Sequence, residues 1–162
     1  MTKYLLDTNI PIYLQTPDSP FHNSVKEGFQ KLHDEDQLFV SVLSLYELYY
    51  GMSLRKGEGN EQSAAKTLQV IEEIKKHFNI LPLREKEAPI FGEIKAKYRG
   101  RNKNKEEKPE NIKKHDVDFI FAGTAIEYDL VVVSNDSIFL RIKEQFPDLQ
   151  IENWANIQTT ET

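Results

Sequence analysis

Four acidic residues stand where the character of the chain changes. Asp7 ends the apolar run Tyr4-Leu5-Leu6, and Glu47 follows the run Leu38–Val42 by about one helical turn. Asp118 opens the apolar stretch Phe119-Ile120-Phe121-Ala122, and Asp136 follows Leu130–Val133 across Ser134-Asn135. Two carboxylates about 5 Å apart at an effective dielectric near 20 repel by roughly 3 kcal/mol. If folding brings the four together, they must take up protons or bind a divalent cation. An all-oxygen donor set, with no His or Cys at ligand spacing, selects Mg²⁺ or Mn²⁺ over zinc. A hard cation in an acidic cup activates water and stabilises charge developing on a phosphoryl group. The chemistry expected is metal-dependent hydrolysis of phosphodiester bonds.

Each acid also has a plain structural role open to it. Asp7, Asp118 and Asp136 can cap helix N-termini, an interaction contributing about 0.5–2 kcal/mol. Ser44-Leu45-Tyr46-Glu47 matches the capping box, in which Glu47 would reach back to the Ser44 amide. Taken one at a time, the cap is the better reading for all four. Only the elements that carry them can decide whether they meet.

Those elements alternate. Strands are expected at Lys3–Leu6, Leu38–Val42, Asn79–Leu83, Leu130–Val133 and Leu149–Glu152. Between them, helical patterns start at Thr8-Asn9-Ile10-Pro11 and cover Pro20–Leu32, Ser44–Met52, Ala64–Phe78, Glu87–Tyr98, Val117–Tyr128 and Ile138–Phe146. Pro82 assigns the third strand to a sheet edge. Such alternation predicts an α/β fold, a three-layer α/β/α sandwich around a mainly parallel sheet of four to five strands. In sheets of this kind ligands gather outside the carboxyl ends of the strands, which is where Asp7, Glu47 and Asp136 fall.

Composition narrows the chemistry further. The 162 residues are 39% hydrophobic and 29% charged, a globular mixture, and include no cysteine, which excludes disulfides, a thiol nucleophile and cysteine-ligated metals. No apolar run approaches the roughly 20 residues of a membrane span, and the N-terminus turns acidic at Asp7, unlike a secretory signal. The expectation is a cytoplasmic protein with one domain over 1–156 and a polar tail over 157–162. No Gly-x-Gly-x-x-Gly or Walker loop follows the first strand, which excludes a dinucleotide site. His22, His33, His77 and His115 are scattered singly, none beside a candidate nucleophile, and read as exposed polar side chains, so a serine hydrolase is excluded too.

Net charge is −5, yet Lys95 to His115 holds nine Lys/Arg against three Glu. This stretch is +6 and leaves −11 on the remainder. On charge alone the excursion at about 100–114 reads first as a solvated loop. Its functional reading is a guide for an RNA backbone through Arg99, Arg101, Lys103, Lys105 and Lys108.

Four blocks together resemble the PIN-domain ribonucleases, and most closely the VapC-type toxins of bacterial toxin–antitoxin pairs. They are Tyr-Leu-Leu-Asp-Thr-Asn (4–9), Ser-Val-Leu-Ser-Leu-Tyr-Glu-Leu-Tyr-Tyr-Gly (41–51), Val-Asp-Phe-Ile-Phe-Ala-Gly-Thr-Ala (117–125) and Val-Val-Ser-Asn-Asp-Ser-Ile-Phe (132–139). The ending Leu-Gln-Ile-Glu-Asn-Trp (149–154) is similar to the family's last strand, so the resemblance covers about residues 3–154. It implies that Asp7, Glu47, Asp118 and Asp136 bind Mg²⁺ or Mn²⁺ and carry out catalysis. Asn9 would support Asp7 by hydrogen bonding, and Ser134 stands in the Ser-Asn that replaces a common Thr-Asn or Thr-Arg. It further implies endonucleolytic cleavage of structured RNA, often tRNA, a homodimer, and neutralisation by a small antitoxin. Asp116 competes with Asp118 for the third position; the phase of the apolar pattern favours Asp118. The excursion Gly100–Lys114 is longer than the link usual in the family.

The alternative is a non-catalytic acidic metal-binding α/β module, either receiver-like or a degenerate PIN scaffold that only binds RNA. A receiver needs adjacent acids near the end of its first strand and a Lys after a late strand. Here Asp7 follows two leucines, and Ser134-Asn135-Asp136 follows Leu130–Val133.

Overall fold

In the computed structural model, which describes residues 1–101 and 112–156, the short apolar runs are strands and the longer patterned stretches are helices. In chain order the elements are β1 (Lys3–Leu6), α1 (Asn9–Leu14), α2 (His22–Gln30), β2 (Gln37–Ser41), α3 (Val42–Gly57) and α4 (Glu61–His77). There follow β3 (Asn79–Leu81), a 3₁₀ turn (Glu85–Glu87), α5 (Ala88–Arg101), α6 (Asp116–Tyr128), β4 (Val131–Val133), α7 (Ile138–Lys143) and β5 (Gln150–Glu152).

The five strands form one sheet in the order β3-β2-β1-β4-β5. Every neighbouring pair is parallel, with Leu6 opposite both Val40 and Val133. Side chains alternate across the sheet, so successive residues feed two different cores. Leu5, Phe39 and Val132 face a layer containing Ile94 and Tyr98 of α5, Phe119 and Phe121 of α6, and Phe139 and Ile142 of α7. Leu6, Val40 and Val133 face Ile10 of α1, Val25 of α2, Leu48 of α3, and Ile71 and Ile74 of α4. The result is the expected α/β/α sandwich. From β1 the chain moves outward through β2 to β3, with α1–α4 on one face. It then crosses to the other side of β1, reaching β4 and β5 through helices on the opposite face. The crevice between β1 and β4 is therefore the topological switch point, where parallel sheets of this order open a site.

Helix boundaries differ from expectation where side-chain caps intervene. α3 begins at Val42 because Ser41 Oγ accepts the Leu43 amide at 3.2 Å. It runs through Gly51 to Gly57, so Gly51 does not end it. α4 starts earlier than its apolar period indicates because Asn60 Oδ1 caps the Ser63 amide at 3.1 Å. β3 stops at Leu81, before Pro82, which cannot donate to a ladder, and it lies at the sheet edge as expected. α5 continues to Arg101, into the start of the basic excursion. Gly28 is needed inside α2, since a Cβ there would meet the Trp154 ring at 2.7 Å. Gly123 serves the α5–α6 contact: its Cβ would lie 3.2 Å from the Phe91 nitrogen. Among the described residues no helix is long and apolar enough to cross a membrane.

Candidate active site

Because Leu6 and Val133 are register partners, the chains leave β1 and β4 side by side. The ladder extends one residue further, with the Asp7 amide donating to the Val133 carbonyl at 3.0 Å. Ser134 therefore comes out beside Asp7. Its buried hydroxyl donates to Asp7 Oδ2 at 2.6 Å while accepting the Asp136 amide at 3.0 Å. The other oxygen, Asp7 Oδ1, accepts the Thr8 amide at 2.8 Å. Burial raises the pKa of Asp7, the bonds from Ser134 and Thr8 oppose that rise, and the charge of Asp136 adds to it.

On the other side of β1, α3 leaves the end of β2 and carries Glu47 over the same edge. The buried Thr8 hydroxyl donates to Glu47 Oε1 at 3.2 Å and lies 2.8 Å from Ser44 Oγ. With its own proton on Glu47, Thr8 accepts from Ser44. The capping box is thus not formed: the true N-cap is Ser41, Ser44 is already inside the helix, and Glu47 turns towards Thr8. Burial raises the Glu47 pKa, Thr8 opposes this, and Asp7 adds repulsion.

Asp118 lies in the first turn of α6, where His115 Nδ1 approaches its Oδ2 at 3.3 Å. Its pKa is pushed up to about 6, chiefly by burial, with Asp7 and Asp136 adding repulsion and His115 opposing. Asp116 turns away to α5, its Oδ1 2.8 Å from Lys95 Nζ in an ion pair. Of these two acids, Asp118 is the one within the field of Asp7 and Asp136. Asp136 is exposed and retains a local role, its Oδ1 accepting the Ile138 amide at 2.9 Å at the start of α7.

All four acids therefore border one edge and three feel each other's charge, although no group of three or more His, Cys, Asp or Glu is closed tightly enough to hold a cation among the described residues. The donor set still suits a hard ion. Every donor is oxygen, no Lys or Arg among the described residues offsets the charge of Asp7, Glu47 or Asp118, and Mg²⁺ keeps several waters while taking only one or two carboxylates directly.

Asn9 does not make the bond expected of it. Its side chain is exposed and has no hydrogen bond among the described residues, because Ser134 and the Thr8 amide already occupy Asp7. His115 is not the exposed side chain expected; it is 15% exposed and packed beside Tyr98 and Phe119. Thr8, Ser44 and His115 are the site residues that sequence reasoning missed. Only the Thr8 position, between Asp7 and Asn9, offered a signal. Arg99 is exposed on α5 beside Gly92, Lys95, Ala96 and Gly100. The Arg101 side chain and Lys103, Lys105 and Lys108 lie outside the described residues, as does most of the Gly100–Lys114 excursion.

The PIN domain family profile matches residues 4–145 of the chain. Over 155 residues the chain is 33% identical to the ribonuclease VapC2 of Haemophilus influenzae, covering 96% of this chain and 100% of that relative. VapBC2 of Rickettsia felis, solved bound to a DNA fragment from its promoter, matches with a TM-score of 0.65 at 25% identity, covering 94% of this chain and 99% of the other. DNA-bound VapBC of Salmonella typhimurium matches with a TM-score of 0.63 at 28% identity, covering 95% and 99%.

Proposed function

The chain belongs to the PIN domain family, in its VapC branch, and on that premise we propose that it is an endoribonuclease that hydrolyses RNA phosphodiester bonds with Mg²⁺ or Mn²⁺, as the toxin of a toxin–antitoxin pair. The observation that carries the reading is the Asp7 carboxylate at the β1/β4 switch point. Ser134 and Thr8 grip both its oxygens, and Glu47, Asp118 and Asp136 border the same edge.

In this reading Asp7, Glu47, Asp118 and Asp136 hold the cation and are the catalytic acids. The bound cation supplies Lewis acidity, lowering the pKa of water and offsetting charge on the phosphoryl oxygens. The chain's own residues do the rest. Ser134 and the Thr8 amide fix Asp7 so that its oxygens need not reorganise during reaction. Thr8, itself tied to Ser44, fixes Glu47. Burial and the neighbouring acids push the Asp118 pKa up to about 6, and a bound cation would relieve that repulsion. Arg99 and the basic excursion with Arg101, Lys103, Lys105 and Lys108 draw the RNA backbone to an otherwise acidic protein.

The substrate class is structured RNA in the cytoplasm, tRNA among the candidates. The VapBC relatives support a small antitoxin partner; a homodimer, and residues 1–156 acting as one domain, complete the proposal. The test is purified protein on structured RNA with and without Mg²⁺, beside Asp7→Asn. Cleavage that needs the metal and is lost in the variant is expected; equal cleavage by the variant, or in excess chelator, overturns the reading. Toxicity on expression, relieved by co-expressing a small antitoxin encoded by a neighbouring gene, is the expected result that tests the pairing. The open spacing of the acids is the one observation favouring a non-catalytic scaffold, for which metal binding without cleavage is the expected result.

A further inference from the structure

We propose that His115 is a positioning residue for the third acid, its Nδ1–H holding the Asp118 carboxylate towards Asp7 and Asp136. The proposal rests on the functional reading above.

Each of the other three acids has its own positioning donor. Asp7 has Ser134 Oγ and the Thr8 amide, Glu47 has Thr8 Oγ1, and Asp136 has the Ile138 amide. Among the described residues Asp118 has His115 alone, at 3.3 Å. No backbone amide takes over the task, because Asp118 is inside the first turn of α6 rather than at its cap. The spacing of three residues brings the two side chains to the same side of that turn. An ionised carboxylate can only accept a hydrogen bond, so Nδ1 carries the proton when Asp118 is charged.

The imidazole is itself held in place. Its ring lies 5.9 Å from Tyr98 and 6.1 Å from Phe119, and Tyr98 and Phe119 are 5.1 Å apart, which closes a triangle of tilted rings. Phe119 is fully buried and Tyr98 is 4% exposed, so two sides of the triangle are anchored in the core. The Tyr98 hydroxyl accepts from Arg141 Nη1 at 3.2 Å, linking α5 to α7. Three elements therefore fix one nitrogen next to one carboxylate. Groups that orient a ligating carboxylate in this way are worth about 10–100-fold in metal affinity.

Two substitutions separate the hydrogen bond from the packing. His115→Phe keeps an aromatic ring against Tyr98 and Phe119 but removes the donor. His115→Asn keeps a donor close to the place of Nδ1 but removes the ring. Chelator-treated full-length protein is titrated with Mn²⁺, free Mn²⁺ being read by electron paramagnetic resonance, and RNA cleavage is measured alongside. The proposal expects His115→Phe to bind Mn²⁺ about 10–100-fold more weakly with a near wild-type melting temperature. It expects His115→Asn to stay within about threefold of wild type in Mn²⁺ affinity even where it melts earlier. Wild-type Mn²⁺ affinity in His115→Phe overturns the proposal, as does weakening in both variants that simply follows their loss of stability. If wild type binds Mn²⁺ and cleaves RNA in that experiment, the functional reading stands without it; if wild type does neither, both fall.

Discussion

The two edges of the sheet treat carboxylates in opposite ways. At the amino edge, just before β2, Asp36 accepts the Thr2 amide at 2.7 Å and the His33 amide at 2.9 Å, and these bonds hold its pKa below the usual carboxylate range. At the carboxyl edge, Asp7, Glu47 and Asp118 all have raised pKa values, with burial the leading cause and neighbouring acids adding to it. The first is an acid used as a fastener between β1 and β2. The second is a set of acids held against their own repulsion, an arrangement that favours a bound cation. Asp116 makes the same point within one helical turn: it meets Lys95 in an ion pair, whereas Asp118, two residues on, has only His115 beside it and is repelled by Asp7 and Asp136. What distinguishes a candidate site here is the missing counter-charge rather than the acid.

The contrast is broken most directly by removing an acid from each edge. Asp7→Asn is expected to lower metal-dependent RNA cleavage by more than about 100-fold, while Asp36→Asn leaves the rate unchanged; initial rates at saturating Mg²⁺ check both. Ser134→Ala leaves Asp7 ionisable but without its 2.6 Å donor, and a loss of about 10–100-fold in rate or Mg²⁺ affinity is expected. An unchanged rate there would show that the Thr8 amide alone suffices.

Stability sharpens the comparison because the two edges respond to pH with opposite sign. The folded pKa of Asp118, about 6, exceeds its ordinary value of 3.8, so the folded state binds the proton more tightly. This group's contribution is most favourable below about pH 4 and is lost as pH rises to about 6. In chelator, Asp118→Asn should therefore stabilise the protein at pH 7 by about 1–2 kcal/mol, a figure discounted for partial exposure, with the gain shrinking towards pH 4. Added Mg²⁺ should stabilise wild type more than the variant. Asp36, with its lowered pKa, contributes above its ordinary value and loses that contribution as pH falls through the folded one. Asp36→Asn should lower the melting temperature slightly at pH 7 and less at pH 3. Thermal unfolding across pH reads both. Identical pH responses at the two edges would end the comparison.

Much of the fold was legible because its signals are local. Val131, Val132 and Val133 are all buried, and an apolar run this short can only be a strand covered on both faces. The edge position of β3 followed from Pro82. The boundaries that moved did so at Ser41 and Asn60, where one side-chain cap overrides the apolar period. In the site, the acids could be named from their places after strands, but their supports could not. Thr8 meets Glu47 from 39 residues away and Ser134 meets Asp7 from 127, and no spacing rule links such pairs. The family resemblance implied Asn9 as the support for Asp7, but on α1 it is exposed to solvent instead. His115 read as exposed because it stands alone, away from any other histidine or nucleophile, whereas its ring is set by Tyr98 and Phe119.

The amino-acid order by itself determined the alternation of strands and helices, the all-oxygen character of the acidic residues and the absence of thiol chemistry, since each depends on residue type and near neighbours. The apolar phase had already favoured Asp118 over Asp116, but only the tertiary structure decided that Ser134 rather than Asn9 grips Asp7 and that Glu47 leaves its own helix start to meet Thr8. These outcomes depend on register and on the reversal of strand order beside β1, which place distant side chains within hydrogen-bond reach, and neither is written in any single stretch of the chain.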